Sequence, residues 1–398
     1  MPVRPLFTAL VCALATLVPA APALAESPTL VVATNGSDTN PGTLAQPLRT
    51  IQKAVDLAQP GHVILVRGGT YAVTTNIQIT RSGQPGNPIT LANYPGEHVV
   101  VDGERLPASH TPVGGSIPRA ERGVFHQEAS HWRVIGLEII RGPYAYYCAG
   151  CDDNVFERLV TRDNYESGFQ LQGASSNNLI LNLDSYGNHD PRKNGESADG
   201  LAIKEGSGTG NVVRGARLWN NVDDGFDAWL FASPIRVEHS VAYGNGVNRW
   251  NFPDFAGDGN GFKLGGGSPA PAVAHVVANT VAFANAAHGY TDNGNPGALT
   301  LTRNTAYRNP GTGFDVDRSS STLTGNLAVG NTTPVALGSS SSGSGNSWDI
   351  KSGWSDADLV STDQSVLTGP RDATGAIRSS SFLLPRDHPA LGARVGAP

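Results

Sequence analysis

The sequence predicts an all-β protein built as a parallel β-helix, and three observations lead there. Glycine is abundant, with 48 residues, and methionine occurs once. Together with frequent Asn, Ser and Thr, that balance favours short strands and turns over helices. Asparagines recur at Asn164, Asn188, Asn221, Asn245, Asn285, Asn309 and Asn331, behind β-rich runs such as Asn211 to Leu218 or His275 to Val281. After four of them a glycine and an aromatic residue follow at one fixed interval: Gly168-Phe169, Gly225-Phe226, Gly289-Tyr290 and Gly313-Phe314. A unit of roughly two dozen residues with several short strands cannot bury its apolar face alone, and stacking successive coils does so. The asparagines then form an internal ladder, each amide bonding to the next coil.

The chain opens with Arg4, an apolar run from Leu6 to Val18 and the small-x-small site Ala23-Leu24-Ala25. This is the pattern of a cleaved secretory signal peptide over residues 1–25. No later segment is apolar for long enough to span a bilayer, so a secreted protein with no membrane partner is expected. The formal charge of −6 disfavours nucleic acid. Cys12 leaves with the signal. Cys148 and Cys151, two residues apart in an exported chain, suit a small disulfide loop. A redox motif is disfavoured because no βαβ pattern surrounds them, and two cysteines alone do not make a zinc site.

Leu30 to Thr34 reads as a strand, followed by the turn cluster Asn35-Gly36-Ser37-Asp38. Leu48 to Leu57 carries Leu48, Ile51, Ala54 and Val55 at helical spacing and stops before Pro60-Gly61. A short helix ahead of a series of strands is what a solenoid needs to cover its open first coil. Val63–Val66, Ile77–Ile79, Ile89–Leu91 and Val99–Val101 read as strands, and the repeat is visible from about His131. The β-helix is expected over 26–346. Residues 347–398, with Trp348, Trp354 and Phe382, read as a tail of the same domain covering the last coils.

Within the repeat, Asp223, Asp224 and Asp227 place three acids in five residues. Crowded carboxylates raise one another's pKa unless a cation neutralises them. With the glycine of each unit as zero, position minus one holds Ser167, Asp199, Asp224, Asn260, His288 and Thr312, so Asp199 lies directly beneath Asp224. Plus one and plus three are apolar and point inward. Plus two holds Gln170, Ala202, Asp227, Lys263, Thr291 and Asp315, so Lys263 stands one coil from Asp227 on the outer face. The Asn-to-Gly interval is longer by eight residues before Gly200 and by twelve before Gly261, insertions that would wall a cleft. Four carboxylates suffice to hold one Ca²⁺. By itself Lys263 reads as a cross-strand partner of Asp227. Beside such a site it reads as a base whose pKa a bound cation lowers. Asp38, and Asp315 with Asp317, are secondary candidates for Ca²⁺.

The segments Asp-Asp-Gly-Phe-Asp-Ala-Trp from Asp223 and Gly-Phe-Lys-Leu-Gly from Gly261, with Asp199 ahead of them, resemble the family 9 pectate lyases. The similarity runs from about Thr34 to Gly345. It implies a right-handed parallel β-helix and Ca²⁺-dependent β-elimination of polygalacturonate, with Ca²⁺ on Asp199, Asp223, Asp224 and Asp227 and Lys263 as the base. Arg192 and Lys193 in the first insertion, and Arg249 and Trp250 in the second, are candidates for holding further uronates, with solvated loop residues as the alternative. A monomer acting on an acidic polysaccharide is expected. Because a β-helix does not fix the reaction, three rivals stay open. They are a Ca²⁺-dependent lyase of alginate or a glycosaminoglycan, a metal-free polygalacturonase-type hydrolase using Asp223 and Asp224, and a non-catalytic carbohydrate-binding solenoid.

Overall fold

The computed structural model describes Met1, residues 28–394 and Gly396. The signal segment and Cys12 lie outside the described residues. The chain winds as a parallel β-helix with three sheets of twelve, ten and ten strands. Each coil gives one strand to each sheet in turn, as in Asn211–Arg214, Arg217–Trp219 and Phe226–Asp227. We call these the first, second and third sheets. Among the described residues no helix is long and apolar enough to cross a membrane.

The expected register holds on the third sheet. Leu201 pairs with Phe226, Phe226 with Phe262, and Phe262 with Tyr290, while Ala202, Asp227, Lys263 and Thr291 pair along the outer face. Inward-pointing rings stack from coil to coil, with 5.1 Å between Phe262 and Tyr290 and 4.7 Å between Tyr290 and Phe314. Cys148, in the same sheet, is bonded to Cys151 and both are buried.

The asparagine ladder runs unbroken from Asn164 to Asn331. Each Nδ2 donates to the Oδ1 of the next asparagine at 2.8–3.0 Å. The ladder also explains the repeated glycine. A Cβ on Gly225 would lie 2.9 Å from Asn245 Nδ2 and 2.6 Å from the Gly261 carbonyl, so no side chain fits beneath the rung. A second ladder, not recognised in the sequence, joins Asn154, Asn178 and Asn211 ahead of the first sheet, and a third joins Asn304, Asn326 and Asn346 at the turn between the first and second sheets. Replacing Asn285 by Ala strips the backbone amide and the side-chain amide of Asn245 of the acceptor they share. Buried unsatisfied groups of this kind cost about 1–3 kcal/mol each. A fall in the denaturant midpoint is the expected result, and an unchanged midpoint would remove the ladder from the list of stabilising features.

At the first coil the helix is Ile51–Leu57, shorter than the apolar spacing suggested. Leu48 instead pairs its backbone with Val31 and Ala33. Thr50 caps the helix, and Asp38 accepts from the amides of Arg49 and Thr50 and from the Thr50 hydroxyl. Asp38 is therefore a loop clamp, with its oxygens already engaged by protein donors.

The tail does more than cover the last coils. Trp348 packs near Phe314, with 5.5 Å between rings, at the end of the core. Beyond it, Leu359, Leu367, Ile377 and Phe382 run back along the outer face of the second sheet over Tyr307, Phe283 and Tyr243. The far anchor is Asp184, which accepts from Arg217 at 2.7 Å and from Arg371 of the tail at 2.6 Å.

Candidate active site

Trp229 and Asn293 reach the site from the turn after the third sheet, while the turn between the second and third sheets carries the long loops that wall it. The ladder fixes where each coil enters that turn, so Asp223 and Asp224 follow Asn221 at the same level as Asp199 follows the first insertion. The segment between Val99–Asp102 and Phe125–Gln127 forms a further wall, which sequence reasoning missed. Arg192 ties it to the first insertion: its guanidinium pairs with buried Glu166 and donates to the Gly115 carbonyl at 2.9 Å, and its own carbonyl accepts from Gly114. The walls enclose a cleft of about 500 Å³ above the third sheet.

Asp199, Asp223 and Asp224 converge beneath that cleft, each offering an oxygen within 4.8 Å of the others. Among the described residues this is the one such cluster of three or more, and Asp315 and Asp317 are not in it. Asp223 Oδ1 accepts from the Asp258 amide at 2.7 Å, and Asp224 Oδ1 accepts from the amide and side chain of Asn260 at 2.7 and 2.9 Å. Asp199 Oδ1 and Asp224 Oδ2 are buried with no hydrogen-bond partner. Burial pushes the Asp199 carboxyl up to about 7, with Lys204 opposing the shift and Asp227 and Asp224 adding to it. Asp224 is raised to about 6 by burial against the pull of Lys263, and Asp223 is raised strongly by burial and by Asp224. Carboxylate oxygens crowded out of water without hydrogen-bond donors suit a hard divalent cation.

Lys263 lies one coil from Asp227, as the register requires, but it does not pair with it. Its Nζ donates to Asp258 Oδ2 at 2.7 Å and lies 3.1 Å from Asp224 Oδ2, close enough for an ion pair but out of line for a hydrogen bond. Nor is the outer face exposed here. Asp227 is 2% and Lys263 8% accessible, because the insertions roof the sheet. Burial alone would lower the Lys263 pKa, and the carboxylates of Asp224, Asp227, Asp223 and Asp258 outweigh it, holding the amine well above its ordinary value.

Asp227 stands apart from the other three acids. Its Oδ1 accepts from the Trp229 amide at 2.9 Å, and its Oδ2 accepts from Lys204 at 3.1 Å. Lys204 and Asp258 are charged residues of the site that sequence reasoning missed. A signal for the first existed: Lys204 is four residues past Gly200, on the same outward face as plus two, in the long strand Leu201–Ser207.

Of the four residues proposed to hold further uronates, Arg192 and Lys193 line the cleft, while Arg249 and Trp250 are not among its lining residues. Arg249 donates to the Gly244 carbonyl and to Asn220, and the Trp250 ring stacks on His189 at 5.1 Å. The second insertion folds these two onto the flank of the coil and sends Asp258 inward in their place.

Comparison with known proteins agrees with the geometry. A family model described as Pel9A-like, right handed beta helix region, matches residues 30–331. Pectate lyase PEL9 of Emericella nidulans is 50% identical over 385 residues, covering 92% of this chain and 94% of that protein. Pectate lyase L of Dickeya chrysanthemi is 35% identical, with 88% and 82% covered. The crystal structure of pectate lyase Pel9A superposes with a TM-score of 0.78 at 33% identity, over 90% of this chain and 88% of that one. A structure described as rhamnogalacturonan lyase gives the same TM-score at 27% identity, over 92% and 99%. On the extent of these matches and the shared coil architecture, this chain belongs to the Pel9A-like right-handed β-helix family, the family 9 pectate lyases that its two site segments resemble.

Proposed function

We propose that this protein is a secreted, Ca²⁺-dependent pectate lyase that cleaves polygalacturonate by β-elimination. The observation that carries the reading is the convergence of Asp199, Asp223 and Asp224 from two coils, with two buried oxygens that lack a hydrogen-bond donor and the Lys263 amine 3.1 Å from one of them. The relatives named pectate lyase support the substrate class. Asp199, Asp223 and Asp224 would hold the ion, with Asp227 joining them as a ligand if it turns an oxygen from its Trp229 and Lys204 donors. When bound, a divalent cation supplies Lewis-acid polarisation of the substrate carboxylate and neutralises the aspartates that keep Lys263 protonated.

Lys263 takes the C5 proton. The electron pair of that C–H bond forms the C4=C5 double bond as the bond from C4 to the bridging oxygen breaks, and the departing oxygen takes a proton from water in the cleft to become the hydroxyl at C1 of the neighbouring sugar. Asp258, with its side chain 56% exposed and 2.7 Å from the Lys263 amine, passes the proton on to solvent. Tyr144, Gln170 and Lys193 line the cleft toward the earlier coils, where they orient the sugars of a chain lying along the solenoid axis.

The direct test is incubation with polygalacturonate, followed through the ultraviolet absorbance of the unsaturated uronate. The band is expected to rise with Ca²⁺, to stop on addition of a chelator and to recover when Ca²⁺ is restored. New reducing ends without that band would point to hydrolysis, and binding without cleavage to a carbohydrate-binding solenoid. Rhamnogalacturonan belongs in the substrate panel because of the second structural match. Preferential cleavage of it would move the substrate assignment while leaving the site roles in place.

A further inference from the structure

Lys204 lines the cleft, and the proposed reaction does not use it. Its ammonium lies 2.8 Å from Asp199 Oδ2 and 3.1 Å from Asp227 Oδ2, bridging carboxylates on neighbouring coils. It reaches Asp227 because Ala202, the residue opposite Asp227 in the ladder, is too small to stand in the way. Its side chain is only 13% exposed, so the two ion pairs are poorly screened.

The site oxygens therefore divide into two sets. One oxygen each of Asp199 and Asp227 is taken by Lys204. Asp199, Asp223 and Asp224 each bring an oxygen within 4.8 Å of the others, and Asp199 Oδ1 and Asp224 Oδ2, both buried, have no hydrogen-bond donor. Four carboxylates against the ammonium groups of Lys204 and Lys263 leave two negative charges, the charge of one divalent cation. Asp258, more than half exposed, is solvated and adds little to that balance.

We propose that Lys204 occupies the position of a second cation, so that it restricts the site to a single divalent ion and sets that ion's affinity below what four free carboxylates would give. The inference rests on the divalent-cation reading of the aspartates. It makes Lys204 a positioning residue, acting through Asp199 and Asp227. It also separates two roles that mutation would otherwise confuse. A lysine that merely organises the ligands would, when removed, weaken metal binding. A lysine that stands in for a cation would, when removed, strengthen it.

The test is calorimetric titration of Ca²⁺ into the metal-free wild-type protein and into Lys204→Met, with Lys204→Gln as a second variant that removes the charge but keeps an N–H donor. Circular dichroism establishes that each is folded. Even at the dielectric constant of water, repulsion between an ammonium and a divalent cation near contact is worth roughly a factor of ten in affinity. The expected result is Ca²⁺ binding at least about tenfold tighter in the neutral variants, or a second bound ion, while Lys204→Arg stays near the wild-type value. Unchanged or weaker binding in both folded neutral variants, with the wild type binding Ca²⁺ normally, overturns the role of Lys204 alone. Absence of Ca²⁺ binding in wild type and variants alike overturns the metal reading as well.

Discussion

Lys263→Ala is expected to lower kcat for polygalacturonate cleavage by roughly 10³, within the range by which a positioned general base accelerates proton transfer. The alanine variant keeps Asp199, Asp223 and Asp224 in place, since their backbone positions come from the ladder and from hydrogen bonds that do not involve Lys263. Ca²⁺ binding measured by calorimetry should therefore persist while the ultraviolet product band disappears. Lys263→Arg should be nearly as inactive, because a guanidinium does not give up its proton in this pH range. Turnover at the wild-type rate in either variant would end the base assignment, whatever its effect on substrate affinity.

The second large effect is on stability and lies far from the cleft. Asp184→Asn removes the carboxylate on which Arg217 and Arg371 converge, and both guanidinium groups are close to 10% exposed. Breaking a buried ionic set by removing one partner costs about 3–5 kcal/mol, and here it should also loosen the tail. Arg217 donates further to the Leu367 and Gly369 carbonyls, and Arg371 donates to Gly215. Limited proteolysis in the segment after Gly369, together with a lower unfolding temperature, is the expected outcome. Equal protection of the tail in variant and wild type would show that the apolar contacts of Leu359, Leu367 and Phe382 hold it unaided.

The same residue carries a pH dependence. Burial alone would raise the Asp184 carboxyl, but Arg217 and Arg371 outweigh it and hold the group below its ordinary value. A carboxyl with a depressed folded-state pKa binds fewer protons folded than unfolded. Its stabilisation is complete above the unfolded value of about 3.9 and is lost as pH falls through the lower folded value. The stability gap between wild type and Asp184→Asn should thus be flat at neutral pH and close only under strongly acid conditions.

Much of the site was legible because a β-helix converts sequence offset into position. Once Gly200, Gly225 and Gly261 were aligned, Phe226 had to pair with Phe262 and Asp227 with Lys263, and they do. The first asparagine ladder was legible on the same grounds. The second ladder, spaced just as regularly, went unrecognised because Asn154, Asn178 and Asn211 have no fixed glycine behind them to mark the phase. Reading plus two as an exposed face failed where three loops converge, since a strand pattern says which way a side chain points but not what lies above it.

The sequence by itself determined the stacking of coils, their register and the vertical alignment of Asp199 with Asp224 and of Asp227 with Lys263, because inward and outward positions alternate and the asparagines fix the phase of each turn. The tertiary structure alone decided which charges meet. Lys204 crosses to the neighbouring coil, Asp258 folds in to Lys263, Arg192 is drawn into a latch between two walls, and the tail returns as far as Asp184. Loops and long side chains have no repeat to hold them in register. Their destinations follow from the search of buried charges for partners in three dimensions, where removal from water makes an unpaired charge costly.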